Sequence, residues 1–166
     1  MALIVEDGTG LTNSESYCSE EFADLYHENR GNANWNSITD KEAALRKATD
    51  YMLQYYRFLW TGYRATSTQA LDWPRTSVYL NDYAEEVSVS STIVPIEVKN
   101  ACAELALKTY DDEFLLEDNT QKVTQEIIGP ITVKYSDNST TKTKVYNAIN
   151  SILKPYLKAS SMSVIR

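Results

Sequence analysis

The stretch Gln69-Ala70-Leu71-Asp72-Trp73-Pro74-Arg75 constrains this chain more than any other, because it joins bulky apolar side chains to a backbone bend that the residues themselves impose. Proline fixes its own φ and drives the preceding residue towards extended geometry, so the direction of the Trp73 indole is set by local sterics. In an extended segment Leu71 and Trp73 share one face and Asp72 takes the other. Gln69, Leu71, Trp73, Pro74 and Arg75 therefore read as a rigid structural plug. Its simplest use is a hydrophobic staple closing a helical core; the alternative is a platform for a bound ligand or a stacked base. An indole buried in either role needs a partner for its N–H.

The strongest helical signal lies upstream. Thr39-Asp40-Lys41-Glu42 matches a capping box with Thr39 as the cap. Beyond it Ala44, Ala48, Tyr51, Tyr55 and Leu59, flanked by Leu45, Met52 and Tyr56, form an apolar face about five turns long. Ser19 caps a shorter expected helix over 20–30, with Phe22, Leu25 and Tyr26 on one face and Gly31 as its stop. Pro95 suits the first turn of a third helix, run to about Asp112. Its two stripes, Val98/Ala101/Cys102/Leu105 and Ala103/Leu107/Tyr110/Phe114, call for two neighbours. A final helix carries Val145, Ile149, Ile152, Leu153 and Tyr156, and Pro155 ends or kinks it. Before it, 123–128 and 131–135 alternate as strands around Gly129-Pro130, with proline restricted to a turn, bulge or edge. The expected fold is mainly α: a bundle of about four helices with a small β-hairpin before the C-terminal helix.

Residues 76–92 show no helical period and no strand beyond Val87-Ser88-Val89, which predicts an arm that orders on a partner; simple disorder is the competing reading. The apolar start, Leu3-Ile4-Val5, is a strand in need of an edge, in its own fold or on a neighbouring subunit. Ile128, Gly129, Pro130 and Ile131 form the hairpin edge, and Met162, Val164 and Ile165 give the tail an apolar pattern suited to docking. With Val87 and Val89 these residues are the candidate interface. A single domain is expected over 1–157, followed by a tail over 158–166.

Charge limits the choice of partner. Acidic residues outnumber basic ones 23 to 16, for a net charge of −7. Lysine and arginine drive non-specific nucleic-acid binding by displacing counterions, and here they are scattered, so a tight phosphate-tracking groove is not expected. Tyr55, Tyr56, Arg57, Phe58, Trp60, Tyr63 and Arg64 could stack single-stranded bases, but in a helix that continues a core stripe most of these rings should pack inside. His27 is the only histidine; it lacks the neighbours of a metal site or triad and reads as a surface or rim residue. Glu104 has no companion for acid–base work. Cys18 and Cys102 read as buried free thiols of a reducing compartment. The run Ala2 to Val5 is far too short for a signal core, and a cytoplasmic protein without a membrane span is expected. Without a phosphate loop, paired carboxylates, a ligand set or a nucleophile elbow, neither enzyme activity nor a cofactor is expected.

In order and spacing, Q-x-L-x-W-P-R, the preceding A-A-L-R-K-A-T-D-Y and the following I-V-P-I-E-V-K-N-A, together with the opening Met1 to Gly10 and Ile128-Gly129-Pro130-Ile131, resemble the head-tail connector proteins of tailed bacteriophages. Some members of that group carry the label of DnaT-like single-strand-binding protein. The likeness extends from the first residue to about Leu157. It implies a structural virion protein: a head-completion adaptor that docks on the portal protein and forms a homo-oligomeric ring of twelve copies at the neck, after a stage in host cytoplasm. Such a ring meets a tail or neck protein, and DNA passes through its acidic lumen without specific binding. The alternatives are a DnaT-like single-stranded-DNA-binding protein and a tail-terminator or other neck ring component.

Overall fold

The computed structural model describes residues 2–81, 84–111, 125–128, 131–134 and 146–158, with residues 110–111 and the two strand segments described by their backbone alone. In chain order its elements are α1 (Glu20–Glu28), α2 (Lys41–Tyr56), β1 (Tyr63–Arg64), β2 (Arg75–Thr76), β3 (Tyr79–Leu80), β4 (Val87–Ser88), α3 (Ile96–Leu107), β5 (Gln125–Ile128), β6 (Ile131–Lys134) and α4 (Asn147–Leu153), with 3-10 turns at Ala33–Ser37, Lys108–Asp111 and Lys154–Tyr156. The fold is mixed but helix-rich. Strands pair antiparallel as β1–β2, β3–β4 and β5–β6.

α3 occupies the centre and packs against α1, α2 and α4. The first stripe, Val98, Ala101, Cys102 and Leu105, is buried throughout, and Ala106 with it; of the second, Ala103 is buried and Leu107 half-buried against the core, while the side chains of Tyr110 and Phe114 lie outside the described residues. Alanine at three of those places lets neighbouring backbones approach closely. α2 buries Ala44, Leu45, Ala48, Tyr51, Met52 and Tyr56 on the face that its periodicity predicts. The helix stops at Tyr56, so Leu59 falls beyond it and is exposed. Its cap is Asp40, whose Oδ1 accepts from the Ala43 amide at 2.8 Å, and not Thr39. Glu42 does not reach back to close a capping box; it accepts from the Leu3 amide (3.2 Å) and pairs with Arg46. Ser19 does cap α1, its Oγ accepting from the Phe22 amide at 3.2 Å, but Leu25 points outward.

Two segments expected to wait for a partner are satisfied within the chain. Val5 bridges Ser16, the Glu6 amide donates to the Ser16 carbonyl, and Leu3 packs on the core, so Leu3-Ile4-Val5 is not a free strand. Within 76–92, Tyr79–Leu80 pairs with Val87–Ser88, Val78 is fully buried, and the Val89 amide donates to the Val78 carbonyl at 2.9 Å. Val89 packs against the core and Val87 stays exposed. The arm is a short hairpin seated on its own domain. Val87-Ser88 is the strand that the sequence marks, while its partner Tyr79–Leu80 is too short to hold a periodic signal. β5 and β6 pair with Ile128 opposite Ile131 and fall within the expected ranges 123–128 and 131–135, while Gly129, Pro130, Met162, Val164 and Ile165 lie outside the described residues. Pro155 ends α4 in a 3-10 turn, and Ile149, Leu153 and Tyr156 are buried.

Candidate nucleic-acid interface

The Gln69–Arg75 stretch spends its polar side chains on its own backbone and on that of the segment just before it, with Asp72 paired to Arg57. Gln69 Nε2 donates to the carbonyls of Leu71 (2.9 Å) and Pro74 (3.0 Å), and its Oε1 accepts from the Thr66 amide. Buried Arg75 donates to the carbonyls of Thr61, Gly62 and Asp72 at 2.8 to 3.1 Å. The guanidinium thus ties the chain after α2 to the plug. Leu71 and Trp73 are buried as expected, but Asp72 is buried with them instead of facing solvent. Arg57 donates to Asp72 Oδ1 at 3.1 Å, and the Asp72 amide donates to the Tyr17 hydroxyl. Burial outweighs the attraction of Arg57, Arg75 and Arg64, so the Asp72 carboxyl titrates above the usual carboxylate value.

Burial also removes the indoles from contention as stacking platforms. Trp60 and Trp73 are both 0% exposed and meet edge-on with centroids 5.7 Å apart. Among the described residues neither Nε1 has an acceptor. Tyr51 stacks on Tyr55, and the Tyr56 hydroxyl donates to Asn150 Oδ1. The staple is therefore the role the geometry gives this aromatic group. His27, expected at the rim, is buried: its Nε2–H donates to the Ala103 carbonyl at 3.1 Å and its Nδ1 accepts from Asn32.

What remains outside is a corner built by chain pairing. After α2 the backbone runs beside the end of the chain's last described segment. Trp60 bridges Leu157, the Thr61 amide donates to the Tyr156 carbonyl (2.9 Å), and the Lys158 amide donates to the Leu59 carbonyl (2.8 Å). This pairing turns Trp60 inward and its neighbours outward, leaving Phe58 81% and Tyr63 73% exposed. Lys158 lies along the same strip, with its Nζ on the Phe58 carbonyl at 3.0 Å. β1 then pairs Tyr63 with Thr76, and the chain continues to Tyr79, half-exposed. Tyr79, Asn81, Ser151, Lys154 and Pro155 line an open cleft of about 370 Å³.

Several other cations are engaged, while Lys47, Lys99 and Lys108 make no ion pair among the described residues. Arg46 pairs with Glu15 and Glu42, Lys41 with Asp24, and Arg57 with Asp72. Arg30 lies over the Tyr26 ring, and Arg64 donates to the Gln69 carbonyl. Lys154 and Lys158 are exposed and have no acidic partner among the described residues. Among those residues, no group of three or more histidine, cysteine, aspartate or glutamate side chains could hold a metal, and no helix is long and apolar enough to cross a membrane.

A family model described as "Putative DnaT-like ssDNA binding protein" matches residues 1–166. The chain belongs to this DnaT-like family. No curated protein and no solved structure matches it.

In this DnaT-like chain the sequence had pointed to Phe58 and Tyr63 within a longer aromatic run, and the structure separates these two from the buried members. Tyr79, Lys154 and Lys158 were not singled out. They come from two distant segments, and only the pairing of 59–61 with 156–158 brings those segments to one corner.

Proposed function

We propose that the chain binds single-stranded DNA with modest affinity through the corner formed by Phe58, Tyr63 and Lys158, with the Tyr79/Lys154 cleft beside it. The observation that carries this reading is the outward placement of Phe58, whose carbonyl holds the Lys158 ammonium, and of Tyr63 five residues further along the chain, with no carboxylate paired to Lys158 among the described residues. The family to which the chain belongs bears a description that points the same way. Base stacking on an aromatic ring contributes about 1–3 kcal/mol per base and tolerates any sequence. Two lysines on phosphates predict a shallow salt dependence, with a log–log slope of about −1.4 on single strands. The net charge of −7 opposes long-range attraction and keeps binding weak. Fluorescence anisotropy of a labelled oligonucleotide at low salt tests this. Saturable binding that Phe58→Ala and Tyr63→Ala weaken is expected; no binding at low salt would overturn it.

A second reading is favoured by the pair β5–β6, which joins no further strand among the described residues. Together with the acidic excess, this suits a head-tail adaptor in which sibling chains extend the sheet. In that reading the chain sits at the virion neck as a ring of twelve, between portal protein and tail or neck protein, and Phe58, Leu59 and Tyr63 meet the adjoining subunit. The tucked N-terminal segment and the seated 76–92 hairpin take away two surfaces on which the ring could have been built. Native mass spectrometry with portal protein decides it: a twelve-copy ring supports the adaptor, and a persistent monomer beside the portal removes it.

A further inference from the structure

Three arginines gather at the plug around one buried carboxylate. Asp72 is 0% exposed, and Arg57 donates from Nε to its Oδ1 at 3.1 Å. Buried Arg75 gives its guanidinium to the Thr61, Gly62 and Asp72 carbonyls. Arg64 stands directly opposite Arg75 in the β1–β2 register and donates to the Gln69 carbonyl. Like charges facing each other across a ladder repel. Among the described residues Asp72 is the one carboxylate that pairs with any of the three. A chain with an overall excess of acid therefore holds a local excess of positive charge here.

Arg57 is the most exposed of the three. Its side chain is 41% exposed, against 1% for that of Asp72. Arginine carries five N–H donors. Asp72 takes the one on Nε, and among the described residues no acceptor takes the terminal nitrogens. Arginine–carboxylate pairs are strongest when two parallel N–H groups meet both oxygens, whereas here a single bond is made and Asp72 Oδ2 has no partner among the described residues. This contact fixes the guanidinium from one side and leaves its end-on fork open. Two terminal amino groups in one plane match two non-bridging oxygens of a phosphate. Phe58, 81% exposed, follows directly, and its carbonyl holds Lys158 Nζ at 3.0 Å. Adjacent Cα atoms lie about 3.8 Å apart, so the arginine stem, the ring and the lysine-bearing carbonyl all start from one short stretch of backbone.

We propose that Arg57 is a phosphate-binding side chain of the Phe58/Tyr63 corner, pinned through Nε by Asp72 and presenting its two terminal amino groups to a phosphate of the strand. The strand as the source of that phosphate rests on the reading of the corner as a single-strand site; the fork alone fits a free phosphate too. Arg57 adds a third phosphate contact to those of the two lysines and takes the expected log–log salt slope from about −1.4 to about −2.1.

The test uses the full chain and two probes. In the first, anisotropy of a labelled oligothymidylate is followed over a salt series. Arg57→Ala should weaken binding and reduce the slope by about 0.7. Arg57→Lys should do the same with a melting temperature close to that of the wild type, because one ammonium held by Asp72 has no fork left for phosphate. An arginine that only stabilised the plug would tie any loss of binding to a fall in melting temperature. In the second, the arginine side-chain N–H resonances of the isotope-labelled wild-type chain are titrated with inorganic pyrophosphate at low salt. The Arg57 Nε signal, identified by its loss in Arg57→Lys, should shift and saturate, and that of Arg75 should not. This arm stands even if Arg57→Ala fails to fold. Wild-type binding by Arg57→Lys, or an unmoved Arg57 signal, would overturn the proposal. Binding that Phe58→Ala and Tyr63→Ala weaken, with a slope indifferent to Arg57, overturns this inference and leaves the corner reading standing. A shifted Arg57 signal without oligonucleotide binding removes the corner reading and keeps the phosphate site, with free phosphate as its ligand.

Discussion

Trp73 meets Tyr156 edge-on, with ring centroids 5.5 Å apart, and Tyr156 in turn donates from its hydroxyl to Glu97 Oε2 at 2.7 Å. One contact thereby links the plug after α2, the end of α4 and the first turn of α3. Trp73→Ala should cost about 3–5 kcal/mol by leaving a cavity among aromatic rings. Tyr156→Phe keeps the ring contact and should cost about 1–2 kcal/mol for the lost bond to a charged acceptor. Urea unfolding of the two variants separates the contributions; equal losses would mean that the ring contact carries little.

The buried Glu6 carboxylate gathers four donors from its own loop. It accepts from the amides of Gly8 (2.9 Å), Gly10 (2.8 Å) and Leu11 (2.9 Å) and from the Ser14 hydroxyl (3.0 Å). Every donor converges on negative charge, so Glu6→Gln places an amide hydrogen pair against some of them. We expect a loss of about 1–3 kcal/mol together with faster hydrogen exchange confined to the first eighteen residues. Exchange that accelerates uniformly would show that this loop does not open on its own. The Gly8 part of the loop is fixed from outside as well: its φ is +105°, and a Cβ there would collide with the Thr92 carbonyl.

His27 makes stability depend on pH. Burial holds its imidazole below the ordinary histidine value, against the raising influences of the Ala103 carbonyl, Glu104 and Asp24, and Arg30 adds to the lowering. The unfolded chain therefore binds the proton first. Stability from this group is full above the unfolded value of about 6.5 and is lost as pH falls through the depressed folded value. Protonation also sets a second N–H against the Asn32 amide, which now donates to Nδ1. Melting temperatures between pH 5 and 7 should fall more steeply for the wild type than for His27→Gln. Parallel curves would sink the assignment.

How far the sequence carried depended on how many residues each signal spans. The α2 stripe runs from Ala44 to Tyr56 within a helix of sixteen residues, and it marks both the helix and its buried face. Ser19 and Pro95 marked helix starts because a cap acts within one turn. The ladder at Tyr63 and Arg64 pairs two residues with Arg75 and Thr76, and no periodic pattern fits in that length. His27 was misplaced for another reason: its acceptor is the Ala103 carbonyl on α3, far away in sequence. The candidate corner combines both difficulties. Phe58 and Tyr63 were visible as aromatic residues, but their exposure depends on α2 stopping at Tyr56 and on Leu157 and Lys158 pairing alongside.

Gly62 connects fold and function at that corner. Its φ is +62°, and a Cβ would collide with the Thr76 carbonyl and crowd Val78, so only glycine lets β1 close on β2. Arg75 also binds the Gly62 carbonyl, at 2.8 Å. Gly62→Ala should therefore cost at least about 1 kcal/mol and displace Tyr63 from its pairing with Thr76. If the corner binds single strands, this variant should lose affinity at a temperature where circular dichroism shows it still folded, as Tyr63→Ala does. Lys158→Ala should weaken binding less and flatten the salt dependence by about 0.7 in slope. Because Trp60 and Trp73 are sealed inside, bound oligonucleotide should leave indole emission nearly unchanged while anisotropy rises. Strong indole quenching would place the bases against the plug and contradict the buried geometry from which the corner was inferred.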